Sequence, residues 1–127
     1  MEKKVLIPEG WPPNAFLSPG FRVGDFIYTA GNVGHDPVTG EVAKGIQKQT
    51  EQALKNIEAI LKAGDATLKD VIKMIFFFTD IKDKKEADEV YKKFFNEPRP
   101  ARSGIIVKAL ANPDLLVEIE AIAYKPE

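Results

Sequence analysis

Two glutamates near the C-terminus are of a type and spacing that could direct a water molecule. Glu118 and Glu120 interrupt the apolar segment Val117–Ala123. Their i,i+2 spacing places both carboxylates on one face of a strand. That face also carries Leu116 and Ile122, which indicates partial burial and a raised pKa for a carboxylate placed there. Such a group can position or activate water. A solvated row of surface charges is the alternative that spacing alone leaves open.

A single arginine, Arg102, precedes the apolar run Gly104–Val107, in a chain with only three arginines against fifteen lysines. A planar guanidinium at the start of an apolar strand can bind a carboxylate through two parallel hydrogen bonds, which a lysine reproduces poorly. The alternative is a structural ion pair at the end of a sheet, and the spacing does not decide between the two.

The composition excludes several other chemistries. The chain has no cysteine and one histidine, His35, so thiol catalysis, Ser/His/Asp triads and thiolate metal sites are excluded. His35 lies in a loop rich in Pro and Gly, where we expect a solvated turn residue. A formal net charge of −1 provides no basic surface for a phosphate backbone, which argues against nucleic-acid binding. We expect no metal, no cofactor and no membrane segment, and a cytoplasmic protein.

Hydrophobic periodicity predicts one domain over residues 1–127 in the order β-β-β-α-β-α-β-β. An apolar stripe predicts a first helix, and an Asp83–Glu86 capping box predicts the start of a second, which ends at Phe95. The expected strands and hairpin lie at 16–20, 21–31, 71–78, 103–109 and 115–124, and the first helix at 43–63.

The predicted elements leave one sheet face without a cover. Each β-α-β passage is long enough to make its flanking strands parallel, and both helices should lie on one face of the sheet. The strands at 71–78 and 103–109 are nonetheless apolar on both sides. An exposed apolar face of this size predicts that another copy of the chain covers it, although the pattern does not give the number of copies.

Several segments together resemble the RidA/YjgF family of reactive intermediate deaminases. The C-terminal signature comprises Pro100–Val107 and Val117–Ala123, and further matches occur at Thr29–Gly31, Asp36–Glu41 and Tyr91–Phe95. The resemblance covers nearly the whole chain. It implies a chorismate-mutase-like α/β (α+β) fold, with a mixed six-stranded sheet and two helices on one face. It further implies a homotrimer with a central barrel, in which the last strand lies between the two strands that the first helix joins.

The resemblance also implies an activity and a site at subunit interfaces. The activity is hydrolysis of imines and enamines, such as 2-aminoacrylate and 2-aminocrotonate, to 2-oxo acids and ammonia. Arg102 would bind the substrate carboxylate, Glu118 would hold the attacking water, and backbone groups at Gly31 and Gly104 would orient the amino group.

Four positions depart from the family pattern. Leu17 replaces a tyrosine of the family, and Ala30 replaces a residue with a small hydroxyl group. Gly104 occupies a position that is often cysteine, and Asp88 replaces an asparagine on the second helix. The resemblance places Leu17, Gly104 and Asp88 in the substrate pocket. These departures alter the pocket wall. Two alternatives to hydrolysis remain as the function of the protein. One is a regulatory trimer that binds 2-oxo acids without turnover, and the other is an endoribonuclease or translation inhibitor.

Overall fold

The protein was analysed as a computed structural model, which describes residues 2–127. Within those residues the chain forms seven β-strands, two α-helices and two short 3₁₀ turns. In chain order the elements are β1 (Lys3–Leu6), β2 (Gly20–Val23), β3 (Phe26–Thr29), β4 (Asn32–Val33), α1 (Ile46–Ala63), β5 (Val71–Phe78), α2 (Lys84–Phe94), β6 (Ala101–Ile106) and β7 (Val117–Tyr124).

The strands form one mixed, mostly antiparallel sheet in the order β1-β2-β3-β7-β5-β6, with the short β4 also paired to β7. The last strand, β7, is antiparallel to both β3 and β5, and β5 is parallel to β6. Both helical crossovers therefore connect parallel strands, as predicted. The final strand lies between the two strands that α1 joins, as the resemblance implied, so a simple C-terminal hairpin is excluded.

Both helices pack on the same face of the sheet. The apolar stripe of α1 is buried, with Ala53, Leu54, Ile57, Ile60 and Leu61 fully inaccessible to solvent. From α2, Ala87, Val90 and Tyr91 turn inward. The sheet contributes alternate residues to this core, among them Phe76 and Phe78 of β5 and Val117 and Ile119 of β7. Removing these apolar groups from water is the main stabilising contribution to the fold.

The structure corrects two strand predictions. The sheet has seven strands rather than six, and the predicted strand at 16–20 is irregular up to the start of β2. The first strand is instead β1, which pairs with β2 at the sheet edge. Only Leu6 of β1 is buried. An edge strand with exposed lysines lacks the apolar alternation that reveals a strand in a sequence.

The predicted capping box at the start of α2 is also wrong. Asp83 precedes the helix but its side chain caps no N–H group. Asp80 performs this role three residues earlier, because its carboxylate accepts a hydrogen bond from the Lys82 amide at 2.9 Å. The chain turns through a 3₁₀ segment at 81–83 and continues into α2 without a break, so Asp83 already has helical backbone angles.

The opposite face of the sheet has no helix over it. In β7 the buried residues alternate with Glu118, Glu120 and Ile122, which are half-buried, and Tyr124, which is 44% exposed. Tyr28 of β3 is 49% exposed. The prediction of an uncovered, largely apolar second face is therefore confirmed for the single chain.

Candidate functional site

A cavity of about 310 Å³ lies beside Glu118. Its wall combines the N-terminal loop, the segment around β4 and the residues leading into β7. Besides Glu118, the lining includes Trp11, Leu17, Gly31, His35 and Leu115. The wall is mostly apolar, with the Glu118 carboxylate as its acidic group among the described residues, an arrangement typical of small-ligand sites.

Glu118 and Gly31 are held in direct contact. The short strand β4 pairs with β7 so that Val33 lies opposite Glu118. A Cβ atom at position 31 would lie 2.3 Å from Oε2 of Glu118, which is closer than any real contact. Only glycine can therefore occupy position 31 while the glutamate keeps this orientation.

The surroundings of Glu118 disfavour its charged form. Burial raises the pKa of its carboxyl above the ordinary value, and the nearby Glu120 raises that pKa further by like-charge repulsion. The two glutamates do lie on one strand face, as the i,i+2 spacing predicts, and that face is partly buried. Glu118 is thus a carboxylate of increased basicity at the edge of an apolar cavity.

Arg102 lies in a second cluster on the helix side of the sheet. Its guanidinium carbon lies 4.0 Å from the centre of the Phe76 ring and 4.7 Å from that of Tyr91. Contacts of this kind are attractive, since the ring faces are electron-rich. Nη2 of Arg102 also lies 2.6 Å from Oδ1 of Asp88. The aromatic rings and the carboxylate together fix the plane of the guanidinium.

Asp88 connects Arg102 to the surface of α2. Its second oxygen, Oδ2, accepts a hydrogen bond from Nζ of Lys84 at 2.7 Å. Burial by itself raises the pKa of Asp88, but the hydrogen bond from Lys84 and the charge of Arg102 outweigh it and leave the pKa lowered. Asp88 is therefore ionised at neutral pH and forms a three-charge cluster with the two cations.

The implied site residues thus fall into two groups within one chain. Leu17, Gly31 and Glu118 share the cavity, whereas Arg102 and Asp88 lie in the cluster on α2. Glu118 alternates with the buried Val117 and Ile119, which face the helices, so its side chain lies on the opposite face from Arg102. A single chain does not bring the two groups together.

Gly104 lies on β6 in register with Phe76 of β5. A Cβ atom there would meet nothing within 4 Å, so packing within the chain does not require glycine. The position is open, exposed and near Arg102 in sequence.

Three cavity residues were missed or misjudged from sequence. His35 is half-buried in the cavity wall rather than a solvated turn residue. Trp11 carried no signal, since a lone apolar residue in a loop has no periodicity to interpret. Leu115 was assigned to the last predicted strand, and nothing in the pattern indicated that it lines a cavity. The loop after His35 does form the expected turn, in which Asp36 accepts hydrogen bonds from the amides of Val38 and Thr39.

Two further observations bear on cofactors and membranes. Among residues 2–127, no group of three or more His, Cys, Asp or Glu side chains is arranged to hold a metal ion. Neither α-helix within residues 2–127 has the length and hydrophobicity of a membrane-spanning segment.

Comparisons with known proteins agree with this geometry. The family model for endoribonuclease L-PSP matches residues 11–125. A RutC family protein of Pyrococcus abyssi is 42% identical over 127 residues, covering 98% of this chain and 99% of its own length. The chloroplastic Reactive Intermediate Deaminase A of Arabidopsis thaliana is 37% identical over 127 residues, which cover 97% of this chain and 66% of that protein.

A solved structure gives the same result for the fold. The crystal structure of Escherichia coli TdcF with bound serine superposes with a TM-score of 0.89 at 35% identity, covering 96% of this chain and 98% of the other. Both the sequence matches and the fold match extend over nearly the whole chain. The chain therefore belongs to the RidA/YjgF family, whose family model is the one described as endoribonuclease L-PSP.

Proposed function

We propose that the protein is a homotrimeric hydrolase that converts reactive imines and enamines of the 2-aminoacrylate and 2-aminocrotonate type into 2-oxo acids and ammonia, in the cytoplasm and without a cofactor. One observation carries the proposal. Glu118 is a half-buried carboxylate with a raised pKa, in contact with Gly31 at the edge of a mostly apolar cavity. A carboxylate in such surroundings is suited to accept a proton from water.

Hydrolysis needs little chemistry from the protein, because the substrate is already reactive. The ionised Glu118 holds a water molecule and accepts its proton as the oxygen bonds to the imine carbon. The proton then passes to the nitrogen, which gives a carbinolamine. Transfer of the hydroxyl proton of this intermediate to the amino group, as the carbon–nitrogen bond breaks, releases ammonia and forms the carbonyl group of the 2-oxo acid. Backbone groups at Gly31 and Gly104 orient the nitrogen, and Leu17 forms part of the wall. Positioning of water and substrate supplies most of the acceleration.

Recognition of the substrate carboxylate is assigned to Arg102. Because Arg102 and Glu118 lie on opposite sheet faces of one chain, a site with both residues requires two chains. The uncovered apolar face gives a reason for the chains to associate, since burial of that face stabilises an oligomer. We assign the complete site to the interface between neighbouring subunits of a trimer.

The relatives support this proposal. The Arabidopsis protein is named a reactive intermediate deaminase, and the TdcF crystals contain serine, an α-amino carboxylate. A site that binds an α-amino carboxylate has the polar groups needed for an α-imino carboxylate.

The test is a competition assay. A serine dehydratase generates 2-aminoacrylate in the presence of semicarbazide, which traps the imine, while this protein is added in increasing amounts. We expect semicarbazone formation to fall and pyruvate to form faster in proportion to the protein added. Unchanged trapping at a stoichiometric amount of protein would contradict the proposal. Pyruvate binding without any effect on trapping would favour a regulatory 2-oxo-acid-binding trimer instead.

A further inference from the structure

The contact between Arg102 and Asp88 is close but incomplete. Nη2 and Oδ1 lie 2.6 Å apart, yet the N–H groups do not align with the oxygen. Both atoms are buried and neither has a hydrogen-bond partner within residues 2–127. The contact is therefore a close, buried ion pair whose hydrogen-bond geometry is poorly aligned.

The identity of the buried nitrogen matters for ligand binding. A carboxylate that forms two parallel hydrogen bonds with a guanidinium uses Nη2 together with either Nε or Nη1. In this structure Nη2 is buried against Asp88, while the rings of Phe76 and Tyr91 hold the guanidinium plane. Nη2 has a second N–H group, but a ligand oxygen cannot reach a buried nitrogen, so a carboxylate can form both hydrogen bonds only after the contact with Asp88 opens.

We propose that Asp88 is an internal competitor for Arg102, which a substrate carboxylate must replace in order to bind. This inference rests on the proposed role of Arg102 in substrate binding. Lys84 makes the exchange possible, because it keeps its hydrogen bond to Oδ2 of Asp88 when Arg102 turns to the ligand. Since the 2-oxo acid product keeps the carboxylate of the substrate, the same competition favours product release. Asp88 thus limits the affinity for substrate and product alike.

Removal of the Asp88 charge should have opposite effects on the empty and the ligand-bound protein. An Asp88→Asn substitution keeps the shape but removes the competing charge. The empty protein loses stability, because a partly buried arginine is left without a counter-ion. A carboxylate ligand then supplies the missing negative charge and binds more tightly. A residue that only positioned Arg102 would give the reverse result, with weaker ligand binding after substitution.

The experiment measures pyruvate binding to the assembled protein at neutral pH by calorimetry, with melting temperatures recorded with and without pyruvate. We expect Asp88→Asn to bind pyruvate about tenfold more tightly than the parent, the typical net value of one hydrogen bond to a charged group. We also expect a lower melting temperature without pyruvate and a larger increase upon its addition. Glu89→Gln is the matched control, since Glu89 is exposed on the same helix and loses the same charge.

The possible results either support or overturn the role of Asp88 as a competitor for Arg102. Equal or weaker pyruvate binding by Asp88→Asn would overturn it, as would failure of both Asp88→Asn and Asp88→Ala to assemble, which would make Asp88 a structural partner. If neither the parent nor the variants bind pyruvate, the competitor role and the assignment of Arg102 fail together. If Asp88→Asn binds more tightly but the parent does not hydrolyse 2-aminoacrylate, the competitor role stands and only the proposed activity fails.

Discussion

The electrostatics of Glu118 depend on three neighbours of different kinds. The apolar cavity wall removes water from the carboxylate, Glu120 adds a like charge, and Gly31 provides space against the backbone. The first two effects raise the pKa of Glu118, and the third leaves room for its carboxylate against the backbone. The raised pKa of Glu118 thus results from its surroundings, because the side chain itself is an ordinary glutamate.

Turnover should distinguish Glu118 from Glu120. A Glu118→Gln substitution keeps the shape but removes the charge that accepts a proton, so we expect turnover to fall by roughly 10²-fold or more, the low end for a positioned acid or base. Glu120→Gln, which changes the same charge on the same strand face, should cost far less. Steady-state assays of both variants check this. A large loss in Glu120→Gln with normal turnover in Glu118→Gln would transfer the role to the second glutamate.

The Glu118→Gln substitution should raise the stability of the folded protein while it lowers activity. Because the pKa of Glu118 is raised in the folded chain above its ordinary value of 4.5, the charged carboxylate destabilises the native state at neutral pH. Glu118→Gln should therefore melt at a higher temperature than the parent at pH 7. As the pH falls through the raised pKa, the parent protonates and gains stability, so the difference should shrink and vanish below the ordinary range. A parent that stays less stable by the same margin down to pH 3.5 would contradict this.

At the level of elements, α1 fixes the entry to β7 through one buried side chain. Gln49 donates from Nε2 to the carbonyl oxygens of Ala43 and Asp114 at 3.1 and 2.9 Å. Its Oε1 accepts a hydrogen bond from the amide of Leu116 at 2.8 Å. The segment that Gln49 binds carries Leu115 into the cavity wall and leads directly to Glu118. A helix on one face of the sheet thereby sets the position of the candidate site.

We expect Gln49→Leu to lower the free energy of unfolding by about 2–3 kcal/mol, because buried backbone groups lose their partners. Gln47→Leu is the control, since Gln47 is exposed on the same helix and its replacement should change stability by less than about 0.5 kcal/mol. Denaturant unfolding measures both. Similar losses in the two variants would mean that leucine on α1, rather than the lost hydrogen bonds, is responsible.

The accuracy of the sequence prediction differed between elements for physical reasons. The apolar stripe of α1 is a local, periodic signal, so the helix was placed to within three residues at its start and at the same end. The edge strand β1 has one buried residue and offers no such period. Arg22 is another contact that spacing could not reveal. It is buried and donates to the carbonyl oxygen of the nearby Gly24 and to those of Gly64 and Lys125, which are distant in sequence.

On the scale of the whole molecule, the arrangement of the site is a matter of sheet topology. Residue types singled out Arg102 and the pair Glu118 and Glu120, from which the family resemblance selected Glu118. The positions of Arg102 and Glu118 on opposite faces, however, depend on the registers of β6 and β7 against β5. Long-range register is not encoded in local patterns. The uncovered face, in contrast, could be predicted from the sequence. Two helices can cover only one face of the sheet, and strands that are apolar on both sides therefore leave an apolar face without a cover.

A site shared between subunits predicts complementation between two inactive variants. Arg102→Lys should be nearly inactive, since a lysine offers a point charge in place of the planar fork. Glu118→Gln should be nearly inactive as well. In a mixed trimer, one interface combines the intact Arg102 of the Glu118→Gln chain with the intact Glu118 of the Arg102→Lys chain.

Denaturing the two variants together in equal amounts and refolding them should therefore restore activity. Random assembly places one repaired interface in each mixed trimer, so about a quarter of the parent activity is expected. Light scattering should show roughly 42 kDa, three copies of a 14.1 kDa chain, for the parent, each variant and the mixture. Each variant refolded alone is the control. If the mixture assembles into trimers but has no more activity than the variants alone, Arg102 and Glu118 do not meet across an interface, and the shared site must be abandoned.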